Sequence, residues 1–116
     1  MSIRKAPEGF DLGDLPTDVI VHHEEVPADI YLIFETVAAD AENDFARLLA
    51  NIPADGAIWV AFPKKASGMD TDLSGNMARD LFLPTAMVDN KVCAIDETWT
   101  GLRFVVRKEN RAGWRV

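Results

Sequence analysis

Two short stretches of the chain carry side chains able to hold or move charge. In Pro63-Lys64-Lys65-Ala66-Ser67-Gly68, two lysines and a serine hydroxyl sit between an apolar run and a helical pattern. With the free amides of a helix start they could hold an anion, and Arg79, if it faces the loop, would add a forked contact. The competing reading is a solvated connection whose lysines pair with Asp70 and Asp72, because a helix N-terminus attracts carboxylates as readily as ligands. In Asp96-Glu97-Thr98-Trp99-Thr100-Gly101, two acids, two hydroxyls and an indole share one loop. Paired carboxylates do acid–base work where their surroundings split their pKa values. The competing reading is a hairpin whose Asp and Thr side chains bond their own backbone while Trp99 packs on the sheet edge. If this loop acts beyond its turn, recognition of a partner through Trp99 fits better than catalysis.

The remaining constellations are thinner. His22-His23-Glu24-Glu25 holds both histidines of the chain. Strand neighbours point to opposite faces, so an ion would find only His22 with Glu24, or His23 with Glu25, and no metal site is expected. Neither Ser67 nor Ser74 lies in a nucleophile-elbow pattern. A dinucleotide needs a glycine-rich turn that lets backbone amides approach a pyrophosphate. The equivalent turn, Pro7-Glu8-Gly9-Phe10, has one glycine and an acid that repels phosphate. No cofactor is therefore expected, although the argument bears less on S-adenosylmethionine, which carries no phosphate. Cys93, between Val92 and Ala94, reads as a small inert core thiol.

The chain that must position these groups has 116 residues, 48% of them apolar, which suits one domain with a real core. A formal charge of -7 disfavours nucleic acid and an anionic membrane surface as partners of the whole domain. The exception is the basic stretch over 107–116, a tail that could touch nucleic acid or an acidic protein, dock on the chain itself or on a twin subunit, or simply stay flexible. One cysteine and no apolar leader point to the cytoplasm.

Periodicity supplies the elements. Asp29 to Glu35 and Ala57 to Phe62 are apolar on both parities, as strands covered on both faces require. Asp18 to His23 is a β-branched run, and Ile3 to Lys5 a short candidate strand. Ala38, Ala41, Phe45, Leu48, Leu49 and Ile52 form the stripe of a helix, with Asp40, Glu42 and Asp44 near its positive end. Leu73, Met77, Leu81 and Phe82 mark a second helix, N-capped by Thr71 or Asp72 and stopped by Pro84. Lys91 to Ile95 and Leu102 to Val106 are close enough to form an antiparallel hairpin. This order predicts a three-layer Rossmann-like sheet, open and mostly parallel, with helices on both faces and the antiparallel hairpin at one edge, the way methyltransferase-type domains end.

Four blocks carry a family resemblance: Ala6-Pro7-Glu8-Gly9-Phe10; Asp55 to Gly68, containing Trp59-Val60-Ala61-Phe62-Pro63-Lys64-Lys65-Ala66-Ser67-Gly68; Thr71-Asp72-Leu73; and Val88 to Phe104, containing Lys91-Val92-Cys93-Ala94-Ile95-Asp96-Glu97-Thr98-Trp99. On these residues the chain resembles a bacterial family catalogued as domain of unknown function 3052. The resemblance implies an α/β fold and carries no activity with it.

The residues thus leave two readings open. One is a non-enzymatic binding or interaction module using the Lys64, Lys65 and Ser67 loop beside the Asp96, Glu97 and Trp99 hairpin. The other is a small transferase-like enzyme holding an anionic or adenosine-type ligand over the same lysines with Arg79. A homodimer through the edge hairpin is compatible with either.

Overall fold

The computed structural model describes residues 1–8, 10, 21–22, 28–82 and 87–114. Its elements run β1 (Ser2–Arg4), β2 (Ile30–Phe34), α1 (Ala38–Leu49), β3 (Ala57–Pro63), α2 (Gly75–Phe82), β4 (Met87–Ala94) and β5 (Trp99–Val106). Alternation decides what each strand offers to either face. In β2, Tyr31 and Ile33 enter one core while Leu32 and Phe34 enter the other, and all four are buried. β3 does the same with Ile58, Val60 and Phe62 against Ala61 and Trp59. Such strands belong in a sheet interior, and these two are neighbours, parallel, in register from Ile30↔Ala57 to Phe34↔Ala61.

The stripe of α1 and the apolar side of α2 cover the first face. Phe45 of α1 stacks on Phe82 of α2 at 4.0 Å, and Phe104 of β5 meets both rings edge-on at 5.5 and 5.2 Å. These three rings join both helices to the sheet. On the second face, Phe34 lies between Phe10 and Trp99 in edge contacts of 4.8 and 5.0 Å. No described helix covers that face, and no described helix is long and apolar enough to cross a membrane.

The Rossmann-like, three-layer, mostly parallel sheet expected from the sequence is overturned. Among the described residues the strand order is β1-β2-β3-β5-β4, a five-stranded mixed sheet. β1 with β2 and β2 with β3 are parallel, but β3 with β5 and β5 with β4 are antiparallel. Among the described strands the three parallel ones follow chain order, and two of the four pairings are antiparallel, so the sheet is not the mostly parallel one expected. Both helices stand on one face, so the described residues make two layers. The physical cause lies in the hairpin. β5 is buried along nearly its whole length and takes the interior place beside β3. β4 is exposed from Asn90 to Ala94, with a register irregularity between Asp89 and Lys91, and suits only an edge.

Smaller corrections follow from the same layout. Cys93 is not a core thiol: it lies exposed on the edge strand β4. The second helix is capped by neither Thr71 nor Asp72. It begins at Gly75, and the Ser74 hydroxyl accepts the Met77 amide at 3.2 Å. The strand expected over Asp18 to His23 lies mostly outside the described residues, as does Pro84; His22 makes a single parallel bridge to Ser2. The tail through Trp114 is folded back on the domain: the indole Nε1 donates to the Ile52 carbonyl at 2.6 Å, and Arg111 Nε donates to the Val106 carbonyl at 3.1 Å.

Candidate functional site

Because β1, β2 and β3 are parallel, their carboxyl ends lie along one edge, and each is followed at once by an ionisable residue: Lys5, Glu35 and Lys64. The antiparallel β5 starts at the same edge, opposite the end of β3 through Pro63↔Trp99. This brings the two stretches singled out in the sequence together. The Lys64 amide donates to the Thr98 carbonyl at 2.8 Å, and Lys64 Nζ donates to the Asp96 carbonyl at 2.6 Å.

Within each stretch most polar groups are already used. Asp96 Oδ1 accepts the Thr98 and Trp99 amides, each at 2.8 Å, and closes its own turn. Trp99 is a core residue, 7% exposed, rather than a surface anchor, and Glu97 is exposed. Lys65 is exposed on a single 3-10 turn, Lys65–Ser67. The Ser67 hydroxyl donates to the Lys64 carbonyl at 2.7 Å. Arg79 does not join the loop: its Nε goes to Asp89 Oδ2 of β4 at 2.9 Å. Of the expected constellation, Lys64 and Asp96 are assembled, while Arg79 and the Trp99 ring serve the scaffold.

Thr71 and Asp72 stitch this edge together. The Thr71 hydroxyl donates to the Thr36 carbonyl at 2.7 Å and accepts the Leu73 amide at 3.0 Å. Asp72 Oδ1 accepts the Ala38 amide at 2.7 Å. On either side lie two shallow clefts. One, of about 300 Å³, is lined by Lys64, Lys65, Met69 and Ser74; the other, of about 370 Å³, by Thr36, Val37 and Asp70. Both share Thr71 and Asp72. A third hollow, about 270 Å³ and largely apolar, opens on the second face between Met1, Leu32, Trp59, Cys93 and Ile95.

Sequence reasoning missed the strongest electrostatic feature. Glu35 is buried at 1% exposure, and Lys5 Nζ donates to its Oε1 and to Asp44 Oδ2, the latter at 2.9 Å. Asp44 also accepts from Arg47 Nη1 at 2.7 Å. Burial, and then the neighbouring Asp44 carboxylate, push the Glu35 carboxyl up to about 7 against the opposing pull of Lys5. For Asp44, burial works upward, but hydrogen bonds from Glu35, Lys5 and Arg47 outweigh it and hold the group down to about 2. For Lys5, burial works downward, and bonding to Glu35 and Asp44 outweighs it, so its pKa is raised. The available signal was an acid placed directly after a fully buried strand, and an acid flanking the helix stripe between Ala41 and Leu48. His22 meets β1 through its backbone, while His23, Glu24 and Glu25 lie outside the described residues.

No protein-family model matches the chain, and no curated protein matches it.

Proposed function

We propose that the chain is a non-enzymatic binding module whose contact surface is the carboxyl edge of the sheet around Thr71 and Asp72. One observation carries this reading. Among the described residues, four large apolar side chains are exposed: Val37, Met69, Met77 and Val92. Val37 and Met69 line the two clefts, and Met77 stands one turn beyond Ser74. Three of the four thus flank one edge, rimmed by exposed Lys65 and Asp70, the apolar centre and charged rim of a protein-recognition surface. The internal use of Lys64, Ser67 and Arg79 supports binding over catalysis. The resemblance to the domain of unknown function 3052 family is consistent with such a module, and the single free thiol fits the cytoplasm. Val92 is exposed on the edge strand β4, where a homodimer would pair, and maleimide labelling of Cys93 on the same strand tests for one.

A second reading has its own observation. Lys64 and Lys65 line a cleft beside the start of α2, where an anionic or adenosine-type ligand would find charge. Two measurements separate the readings. A thermal-shift screen against nucleotides, S-adenosylmethionine and small anions is expected to leave the melting point unchanged. Capture of a partner from the source cell is expected to fail for Met69→Asp with Met77→Asp and to survive Val92→Asp. A ligand that raises the melting point in the native chain but not in Lys65→Ala would replace the module with the transferase-like reading.

A further inference from the structure

We propose that Lys5, Glu35 and Asp44 form a proton-operated latch: Glu35 with its proton holds the end of β1 on the sheet, and loss of that proton loosens it. The proposal is independent of the contact surface above. Lys5 follows directly on β1, and its φ of 60° lies in the left-handed region that lysine disfavours. The tethers that keep it there are the two carboxylates on its ammonium group. One comes from the end of β2 and one from α1, so the ammonium ties β1 to two other elements.

The arrangement is complete only with a proton present. Glu35 Oε1 accepts from Lys5, but its buried Oε2 has no hydrogen-bond partner. A buried oxygen left so is costly, and costlier when ionised. Asp44 shares the same ammonium, so an ionised Glu35 would face a second carboxylate across Lys5. A proton on Glu35 eases both: the carboxyl is then neutral, so its unpartnered buried oxygen costs less, while Asp44 stays ionised and keeps Lys5 and Arg47. Removing it leaves two anions around one shared ammonium, one of them in a site closed to water. The charged groups facing Glu35 among the described residues are Lys5 from the end of β1 and Asp44 from α1, with Arg47 behind Asp44. From β3 comes only the Ala61 carbonyl, which accepts the Glu35 amide at 2.8 Å. Burial and the Asp44 charge raise the Glu35 carboxyl to near neutrality, so the transition falls where a cell can use it.

Amide hydrogen exchange tests the latch. The Ile3 amide, which donates to the His22 carbonyl, reports on β1, and amides of β5 report on the sheet interior. Between about pH 5.5 and pH 8, after correction for intrinsic exchange, protection of Ile3 relative to β5 should fall roughly tenfold in the native chain. In Glu35→Gln, whose amide mimics the protonated carboxyl, the ratio should stay constant. His22 is present in both proteins, so the comparison isolates Glu35. Equal pH dependence in the two, or a constant ratio in the native chain, overturns the proposal. Should Glu35→Gln not fold, carbon-13 titration of the native Glu35 carboxyl decides: a midpoint near neutrality is expected, and one in the ordinary carboxylate range overturns it.

Discussion

The Asp72 carboxylate accepts the Ala38 amide, so a residue in the loop before α2 closes the first turn of α1. Val37, at the α1 N-cap, has no side-chain oxygen to offer and makes no side-chain cap bond of its own. The carboxylate also meets the positive end of the helix. Replacing Asp72 by Ala should cost about 1–2 kcal/mol, and by Asn less, because the amide oxygen can still accept. Urea unfolding of the variants reads this directly. Equal stability for Asp72→Ala and the native chain would mean that the bond in trans contributes nothing.

Two glycines are needed for space rather than for backbone freedom, and they should differ. A Cβ on Gly56 would lie 2.7 Å from the Asp29 carbonyl oxygen and 2.8 Å from Ile52 side-chain atoms. The backbone oxygen belongs to the β2–β3 junction and cannot retreat, so Gly56→Ala should destabilise by about 2–3 kcal/mol. A Cβ on Gly101 would meet the ends of Ile95 and Trp59 side chains at 3.0 and 3.2 Å. Those can shift toward the neighbouring hollow, so Gly101→Ala should cost about 1 kcal/mol or less. Denaturant midpoints of the two variants give the ranking; the reverse order would refute this account.

The central strands could be read from the chain because Tyr31 to Phe34 and Ile58 to Phe62 are apolar on both parities, a pattern that few other arrangements satisfy. The α1 stripe was equally plain. The sheet order was not, because it turns on which hairpin strand sits inside. That depends on comparing the polar Asp89-Asn90-Lys91 of β4 with the apolar Phe104-Val105-Val106 of β5, a comparison across strands rather than along one. At the edge, the meeting of Lys64 with Asp96 followed from placing both at strand ends. The Lys5 cluster did not, since its ion pairs join residues 30 and 39 positions apart and no local spacing encodes them.

Cys93 should behave as a surface thiol. It sits on an edge strand, exposed, with Sγ only 3.4 Å from the Ala94 carbonyl as a local contact. A maleimide should label it fully without denaturant, at a rate close to that of a small free thiol. Labelling that requires unfolding would show that this strand is covered in solution, as a dimer through β4 would make it.

The carboxylates of the cluster predict a stability optimum on the acid side of neutrality. Glu35 is raised from 4.5 to about 7 in the folded chain, so its contribution is fully present below pH 4.5 and is lost as pH rises through about 7. Asp44 is lowered from 3.8 to about 2, so its contribution is present above pH 3.8 and is lost as pH falls through about 2. Both contributions are fully present only between pH 3.8 and pH 4.5, which is the plateau from this pair; the neutral limb is the longer of the two, and each falls by about one proton's worth per pH unit. The neutral limb should amount to about 2–3 kcal/mol and the acid limb to about 1–2 kcal/mol. Urea titrations from pH 2 to pH 8 read both. Glu35→Gln should flatten the neutral limb alone, whereas Asp44→Asn should flatten the acid limb and also bring Glu35 back toward ordinary carboxylate behaviour, because the anion that disfavours its ionisation is gone. A native chain whose stability rises steadily from pH 5 to pH 8 would contradict the sign of the Glu35 contribution.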